Sequence, residues 1–364
     1  MKIRVPEYFK RFACIASECT DSCCAGWEVD LDEEAYKWYM ETPGPFGDRL
    51  RDSIIVDEEG IRFRLINKDC PYLNKEKLCD IYIAIGEDKL CKTCTEFPRF
   101  QEEYGSLRER GISLSCPEAA RLILYPSDKI TFELTENDEM VSHYNDIDPQ
   151  VYFHLISARK EIFAVLQNRD YDIETRIKAA LLYTKDVQKK LGNMNSTKPM
   201  EEYLSKAMQC KKGDRIEYLR KYLEFSDTLE NINKEWKARI HHLLDNLEVC
   251  EENREAFMEY HKEWEYEYEH LMVYFVYRYF LKAAFDKKAL TKLKIGVVSY
   301  ILLRELGIDR WLMDDREFTP AAQVDLMQMY SKEIEHSDYN MDTLWQQFEK
   351  NKMYSVEKLT GVLS

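Results

Sequence analysis

The feature that most constrains this sequence is the concentration of cysteine in its first third. Nine of the eleven cysteines lie between residues 14 and 116. The first four are separated by four, three and no residues; after a gap of 45, the next intervals are eight, eleven and two. The nine are Cys14, Cys19, Cys23, Cys24, Cys70, Cys79, Cys91, Cys94 and Cys116. Thiols this close along the chain must serve a common purpose.

Three explanations of this set differ in the chemistry they require. Disulfides rarely persist in the reducing cytoplasm, and an odd count leaves one thiol unpaired. Independent burial would scatter cysteines along all 364 residues. Binding of a metal ion or cluster accounts for the spacing. We therefore predict all nine cysteines as candidate metal ligands.

The ligand type narrows the choice of metal. No histidine precedes His143, and soft thiolates select zinc, iron–sulfur clusters or Cu(I). An all-cysteine set suits a structural zinc ion or a [4Fe–4S] cluster. Only one interval is the Cys-x2-Cys that zinc ribbons use in pairs, and the adjacent Cys23 and Cys24 are awkward ligands for one tetrahedral ion. These features favour an iron–sulfur cluster, with zinc as the alternative.

Proline and glycine divide the chain near residue 150. Eight of the ten prolines lie at or before Pro149, and seven of the twelve glycines at or before Gly111. Because both residues interrupt helices, we predict a mainly α protein with two domains. The first is a small α+β, loop-rich cysteine-cluster domain over residues 1–148, and the second is a helical domain over residues 149–364.

Some elements follow from hydrophobic periodicity. Residues 54–56 and 61–65, separated by an acidic turn that ends in Gly60, predict a β-hairpin, and residues 130–134 predict a further strand. An apolar stripe with helical spacing follows in the second part. Its members are Phe257, Tyr260, Trp264, Tyr268, Leu271 and Phe275. We interpret this stripe as core, with Tyr266, Tyr274 and Tyr277 lying off it as candidate substrate contacts.

Charge and hydropathy exclude some classes of protein. A net charge of -15 argues against a nucleic-acid partner, which needs clustered lysine and arginine. Charged residues interrupt residues 1–16, so no signal peptide is expected. The longest apolar run, residues 271–280, contains Arg278 and is too short to span a bilayer. We predict a cytoplasmic protein without a membrane segment.

Several strings around the cysteines resemble a bacterial cysteine-cluster domain described as zinc- or iron-chelating. The strings are Cys19-x3-Cys23-Cys24-x2-Trp27, Cys70-Pro71-Tyr72-Leu73 leading to Cys79-Asp80-Ile81-Tyr82, and Cys94-x2-Phe97-Pro98-Arg99. More closely, the chain resembles the flagellin lysine-N-methylase family. In that family the block is followed by a Ser-Cys-Pro-Glu-Ala element, here residues 115–119, and an aromatic run, here residues 275–280.

The resemblance implies transfer of a methyl group from S-adenosylmethionine to lysine side chains of flagellin or another protein, with a [4Fe–4S] cluster near the site. Two common cofactor signatures are absent from the sequence: a G-x-G-x-x-G loop and a Cys-x3-Cys-x2-Cys motif, since Gly26 stands at the third cysteine position. The alternatives are a zinc-stapled protein-binding module and an iron–sulfur redox or sensor protein without methyltransferase activity.

Three residues are predicted to bind the cofactor. Arg99 follows Pro98 in a segment anchored by Cys94, where a guanidinium can meet an anionic group. Tyr277 and Arg278 belong to the aromatic run. Trp27 is expected to shield the cluster from water. No catalytic residue is assigned from the sequence.

Overall fold

The structure, a computed structural model, describes residues 1–58, 60–141, 147–192 and 197–364. Its helices are α1 (Glu33–Glu41), α2 (Gly44–Ser53), α3 (Asp80–Ile85), α4 (Lys92–Glu96), α5 (Pro117–Leu124), α6 (Pro149–Leu166), α7 (Ile173–Lys189), α8 (Met200–Met208), α9 (Arg215–Ser226), α10 (Lys234–Asp245), α11 (Leu247–Tyr260), α12 (Tyr266–Tyr279), α13 (Ala283–Asp286), α14 (Ala289–Met313), α15 (Pro320–Ile334), α16 (Asp338–Lys350) and α17 (Val356–Val362). The predicted class, mainly α with a small loop-rich α+β part, is confirmed.

The strands form two sheets in the N-terminal part. They are β1 (Lys2–Pro6), β2 (Ile54–Asp57), β3 (Gly60–Phe63), β4 (Arg99–Tyr104), β5 (Leu107–Ile112) and β6 (Phe132–Glu136). The larger sheet has the order β4-β5-β1-β6, in which β1 is parallel to β5 and antiparallel to β6. The predicted hairpin is β2-β3, with Ile54 opposite Phe63. The predicted strand at 130–134 begins two residues later, at Phe132.

The periodicity of the apolar stripe predicted one continuous helix over residues 257–275. This prediction is wrong, because the helix is interrupted. Helix α11 ends at Tyr260, residues 262–264 form a 3-10 turn, and α12 begins at Tyr266. The tighter turn keeps the spacing close to helical, so Phe257, Tyr268 and Phe275 are all buried. The prediction that the stripe is core holds for these residues, whereas Tyr260 is 36% exposed.

The protein has two hydrophobic cores, and they do not divide the chain near residue 150, where its proline content divides it. The large core includes Tyr8, Ile112 and Leu114 of the N-terminal part together with the helices up to Leu363. A separate small core, which extends from Val29 to Cys91, lies among α1, α2 and the β2-β3 hairpin. The larger sheet thus packs with the helical part. The division into domains 1–148 and 149–364 stays a prediction.

Helix α14 is buried along nearly its whole length, as expected for the central helix of a helical protein. Two of its buried charged side chains are paired: Glu305 contacts Arg254 at 2.6 Å, and Arg304 contacts Glu174 at 3.2 Å. In the described ranges, no helix is both long enough and apolar enough to cross a membrane.

A buried carboxyl group at the start of α12 lacks this kind of compensation. Glu267 is fully buried, and among the described residues neither of its oxygens has a hydrogen-bond partner. The nearest basic group is His261, whose Nε2 lies 3.4 Å away. Burial raises the pKa of Glu267 to about 8 and lowers the pKa of His261 to about 3. Both side chains are therefore neutral at neutral pH.

We expect Glu267 to make stability fall as pH rises. The pKa of about 8 in the folded protein exceeds the ordinary carboxyl value of about 4.5, so the folded protein retains a proton that the unfolded chain loses between these two pH values. Glu267→Gln should abolish a decrease in the free energy of unfolding of about 5 kcal/mol. Urea unfolding at several pH values, with the exposed Glu255→Gln as control, measures the change. Wild type and Glu267→Gln giving parallel pH profiles would contradict this assignment.

Candidate functional site at the junction of the cysteine-rich and helical parts

The small core gathers five of the nine predicted cysteine ligands. Cys70 and Cys91 are part of it, and Cys24, Cys79 and Cys94 pack against it. The backbone N–H of Cys70 donates to the carbonyl of Cys24 at 2.7 Å, which joins two segments that are distant in sequence. The fold therefore places Cys24 of the first cysteine group beside Cys70, Cys79, Cys91 and Cys94 of the second.

The remaining cysteines lie nearer the helical part. Cys116 precedes α5 and is part of the large core. Burial raises its pKa to about 12, with smaller contributions from Cys19 and Cys23. Cys14 lies before these residues and is exposed. Cys23 is thus near Cys116 on one side and adjacent to Cys24 on the other.

The thiols interact in pairs. Cys24 donates a hydrogen bond to Cys23, which lowers the pKa of Cys23 to about 7 and raises that of Cys24. Cys94 likewise lowers the pKa of Cys91, while its own pKa is raised. All are free thiols. A set of free, mutually close thiols has the donor chemistry of a zinc or iron–sulfur site.

The cysteine side chains of the described residues are not arranged as a preformed metal site. Across residues 1–58, 60–141, 147–192 and 197–364, no three histidine, cysteine, aspartate or glutamate side chains are arranged to hold an ion. The donor chemistry therefore fits a thiolate-bound group, whereas convergence on one centre requires movement of side chains. All nine cysteines stay predicted ligands.

The three predicted cofactor residues lie in different surroundings. Arg99 begins β4, and its guanidinium carbon is 5.0 Å from the centre of the Phe12 ring. The hydroxyl of Tyr277 lies within hydrogen-bond distance of two backbone carbonyls, at 2.8 Å from Arg4 and 3.0 Å from Arg110. Tyr277 thus links β1, β5 and α12. Its contact with a cofactor, like that of Arg99, stays a prediction.

Arg278 belongs to a buried polar network between α12 and the end of α15. Its Nη1 donates to Ser113 at 2.9 Å and to Tyr274 at 2.6 Å, and its Nε lies 3.4 Å from Glu335. Glu335 also accepts a hydrogen bond from Tyr279 at 2.7 Å. The guanidinium and carboxylate compensate each other away from water, and they hold Ser113 beside the cysteine-rich part.

His336 extends this network to the cysteine-rich part. Its Nε2 lies 2.7 Å from the hydroxyl of Ser115, the residue before Cys116. The ring stacks on Trp27 at 4.9 Å, and the Trp27 indole donates to the carbonyl of Cys23 at 3.0 Å. Burial lowers the pKa of His336 to about 3, so the ring is neutral. Sequence reasoning missed His336, whose partners lie more than 200 residues away.

A second set of contacts fixes α15 to the first cysteine group. Lys332 donates to the carboxylate of Asp21 at 2.7 Å, and its ammonium lies 4.7 Å from the centre of the Trp27 ring. Gln328 donates to Asp21 at 2.8 Å and to the carbonyl of Ser115 at 3.0 Å. One face of α15 therefore contacts both Asp21, which lies just before Cys23, and Ser115, which lies just before Cys116.

A cleft of about 360 Å³ opens beside these contacts, and we call it the junction cleft. Residues 15–21, the start of α5, residues 233–235 and α15 line it. Its six acidic residues are Glu18, Asp21, Glu118, Glu235, Asp325 and Glu333. Its two cationic residues are already paired, Arg121 with Glu118 and Lys332 with Asp21. A third cation, Arg239, contacts both Glu235 and Asp325. Six carboxylates thus face three cations, so the cleft is suited to a further cation.

Glu333 is the buried carboxylate of the junction cleft. It has no exposed surface, and its oxygens accept backbone N–H groups of Ile232 at 2.8 Å and Asn233 at 2.5 Å. Burial raises the pKa of Glu333 to about 7, although these hydrogen bonds oppose the shift. A carboxylate with this pKa exchanges protons at neutral pH. Its sequence context, a charged helical segment, gave no sign of this role.

The fold and site define a helical protein whose cysteine-rich part docks on a polar junction. Residues 159–362 match the family model described as the FliB lysine N-methylase C-terminal domain. The chain belongs to this family. The predicted resemblance is confirmed, and the predicted enzyme class, protein-lysine N-methyltransferase, is the class that the family description names.

Curated relatives match a shorter segment. The flagellar biosynthetic protein FliU of Salmonella muenchen is 31% identical over 130 residues, which cover 34% of this chain and 77% of the relative. A lysine-N-methylase of Salmonella typhimurium is 32% identical over 130 residues, 34% of this chain and 32% of the relative. The chain thus matches about a third of that lysine-N-methylase. No solved structure matches.

Proposed function

We propose that this protein transfers a methyl group from S-adenosylmethionine to lysine side chains of a protein substrate, and that flagellin is this substrate. Family membership supports lysine methylation. The name of the flagellar relative supports a substrate in the flagellum. The single observation that supports a location for this reaction is the junction cleft, an acidic cleft beside the cysteines.

The charge of the junction cleft suits a lysine side chain. Glu18 is exposed and has no ionic partner within the described ranges. Glu333 lies buried in the same cleft. A protonated lysine is attracted to the outer carboxylates by a field that weakens with salt. The alkyl part of the lysine can pack on Val324 and Met329, which also line the cleft.

The amine must then lose its proton, because a lysine with a reference pKa of about 10.4 is almost fully protonated at neutral pH. We assign Glu333 as the base. The neutral amine attacks the sulfonium-bound methyl carbon, so that an N–C bond forms, the S–C bond breaks and S-adenosylhomocysteine leaves. The proton passes to Glu333, whose pKa of about 7 permits its later release.

The proposed metal group belongs to the nine cysteines, as an iron–sulfur cluster or, alternatively, as zinc. A thiolate-bound metal supplies folding free energy to the part that carries it. Ser115 precedes Cys116 and contacts His336 at 2.7 Å. Trp27 donates to the carbonyl of Cys23. Gln328 and Lys332, which line the junction cleft, donate to the carbonyls of Ser115 and Ser22, so the ligand segments are joined to its wall.

Charge reversal tests the cleft as the lysine entry site. We expect Glu18→Lys combined with Glu235→Lys to raise KM for the protein substrate about tenfold and to change kcat little, because these exposed carboxylates contribute attraction rather than chemistry. The matched control is Glu255→Lys, an exposed reversal on α11 outside the cleft. Steady-state methylation at low salt measures both constants. An equal rise in KM for the control would reject the cleft.

A further inference from the structure

Asn340, in α16, is a buried residue that uses its whole amide group to hold two stretches of backbone together. It has no exposed surface. Its Oδ1 accepts the backbone N–H of Glu230 at 2.8 Å, and its Nδ2 donates to the carbonyls of Glu230 and Glu333, each at 2.9 Å. Three hydrogen bonds from one buried side chain fix residue 230 against the end of α15.

Residues 230–233, which lead into α10, form neither helix nor strand, and we call them the clamped segment. The N–H of Glu230 donates to Asn340, and the N–H groups of Ile232 and Asn233 donate to the Glu333 carboxylate at 2.8 and 2.5 Å. Ser337 donates to the Glu230 carboxylate at 2.6 Å. Because these backbone groups are satisfied by side chains, the direction of the N–H groups depends on α15 and α16.

The clamped segment also contacts the cysteine-rich part. Gly26 has a φ of 93°, and a Cβ at this position would lie 2.9 Å from Cγ2 of Ile232. The backbone two residues after Cys24 therefore packs directly on Ile232, and a side chain is excluded there. Asn233 lines the junction cleft together with Glu333. Movement of the clamped segment would therefore change both the wall of the cleft and the donors to Glu333.

We propose that Asn340 is a positioning residue for Glu333: it holds the clamped segment so that the N–H groups of Ile232 and Asn233 stay directed at the carboxylate. This inference rests on the proposed function, in which Glu333 is the base. N–H groups directed at a carboxylate favour its ionised form, and here they oppose the effect of burial on the pKa of Glu333. Without the clamp, Glu333 keeps its proton to higher pH, and less of the base is available at neutral pH.

Asn340 is neutral, so its replacement leaves the charges around Glu333 in place. Lys332 on the same helix and Lys68 from the cysteine-rich part lower the pKa of Glu333. The other charged groups around it are Glu230 of the clamped segment, Arg239 of α10, and the cleft residues Glu18, Asp21, Glu118, Arg121, Glu235 and Asp325. A changed titration of Glu333 in an Asn340 variant therefore reports lost hydrogen bonds rather than a lost charge.

The test compares Asn340→Ala with the wild type in the full, metal-loaded chain. Infrared spectroscopy follows the protonated carboxyl group of Glu333 as the band that is absent from Glu333→Gln, and kcat is measured over the same pH range. We expect both the infrared titration and the inflection in kcat to move up by about one pH unit, because hydrogen bonds to the ionised form are lost. At pH 7, kcat should fall about fivefold, since a smaller fraction of Glu333 is ionised.

Asn246→Ala is the matched control, because it removes a side-chain hydrogen bond to the carbonyl of His242 at 2.7 Å, outside the residues that line the cleft. It should lower the melting temperature and leave both titrations unchanged. If Asn340→Ala is insoluble, Asn340→Ser replaces it, since one hydroxyl cannot make all three hydrogen bonds.

A folded Asn340 variant in which Glu333 titrates as in the wild type overturns the inference. An equal shift in Asn246→Ala also overturns it, because the shift would then follow from general loss of stability. A shifted infrared titration with an unshifted kcat profile supports the role of Asn340 and rejects Glu333 as the base. The inference and the proposed function can therefore fail separately.

Discussion

Serine in place of Cys23, Cys70 or Cys94 is expected to remove the bound metal and the stability of the cysteine-rich part together. Cys70 belongs to the small core, and Cys94 packs against it. The small core buries too little surface to stabilise the surrounding loops without a further interaction. A structural metal supplies roughly 10 kcal/mol or more to the domain that binds it, and loss of a ligand forfeits much of this. We therefore expect insoluble or metal-free variants.

Two cysteines of the helical part are matched controls. The Cys210 thiol contacts the carbonyl of Lys206 at 3.5 Å, a contact that a serine hydroxyl can replace. Cys250 is buried beside Asp309 and far from the other thiols in sequence. Both serine variants should retain the metal. The measurement is elemental analysis and visible absorption of anaerobically purified protein. Equal metal content in all five variants would show that the ligands are assigned wrongly.

The same measurement decides between the two metal groups. An iron–sulfur cluster absorbs broadly in the visible, whereas zinc is colourless, because its filled d shell has no such transitions. We expect brown protein that contains iron. Colourless protein with stoichiometric zinc would reject the cluster and favour a zinc-stapled N-terminal part.

Glu333→Gln is expected to lower kcat for methyl transfer by about 100-fold to 10,000-fold, the usual contribution of a general base. The glutamine oxygen can still accept a backbone N–H from Ile232 or Asn233, but the other N–H loses its acceptor, so the melting temperature should fall by a few degrees while the protein stays folded. The wild-type rate should rise as pH passes through about 7 and Glu333 loses its proton. In Glu333→Gln the inflection near pH 7 should be absent, and the rate should instead rise steadily with the fraction of free lysine amine.

Asp325→Asn is the matched control, because it removes a carboxylate from the exposed wall of the same cleft. It should reduce kcat only slightly and retain the pH dependence. A pH–rate profile of Glu333→Gln that parallels the wild type would remove Glu333 from the chemistry. A large fall in melting temperature without a change in kcat would assign it a structural role at residues 232 and 233.

The features that could be predicted from the sequence are those that depend on the order of nearby residues along the chain. The β2-β3 hairpin follows from alternation around Gly60, which has a φ of 127°. The cysteine-rich part follows from spacing, because thiols that gather in space also gather in sequence. Proline and glycine predicted where long helices begin. The break at His261 was missed because a 3-10 turn continues the apolar spacing of the helices on either side.

The junction could not be predicted, because its residues meet only in the tertiary structure. Glu333 and His336 lie in a charged segment that is typical of a solvated surface. Glu333 is nevertheless buried against residues 232 and 233, and His336 is half-buried against the first third of the chain. Tyr277 looked available off the apolar stripe, but its hydroxyl is held by backbone carbonyls of two strands. These residues differ from ordinary surface residues in their contacts and burial, which the residue type does not reveal.

Transfer of labelled methyl groups from S-adenosylmethionine to flagellin of the same cell tests the central claim most directly. The metal-loaded chain should label lysine residues of flagellin, and label should fall with Glu333→Gln and with the Glu18→Lys, Glu235→Lys double variant, but not with Glu255→Lys. The contradictory result is metal-loaded protein that neither binds the donor nor labels any protein in a lysate. The chain would then be a protein-binding module rather than a methyltransferase.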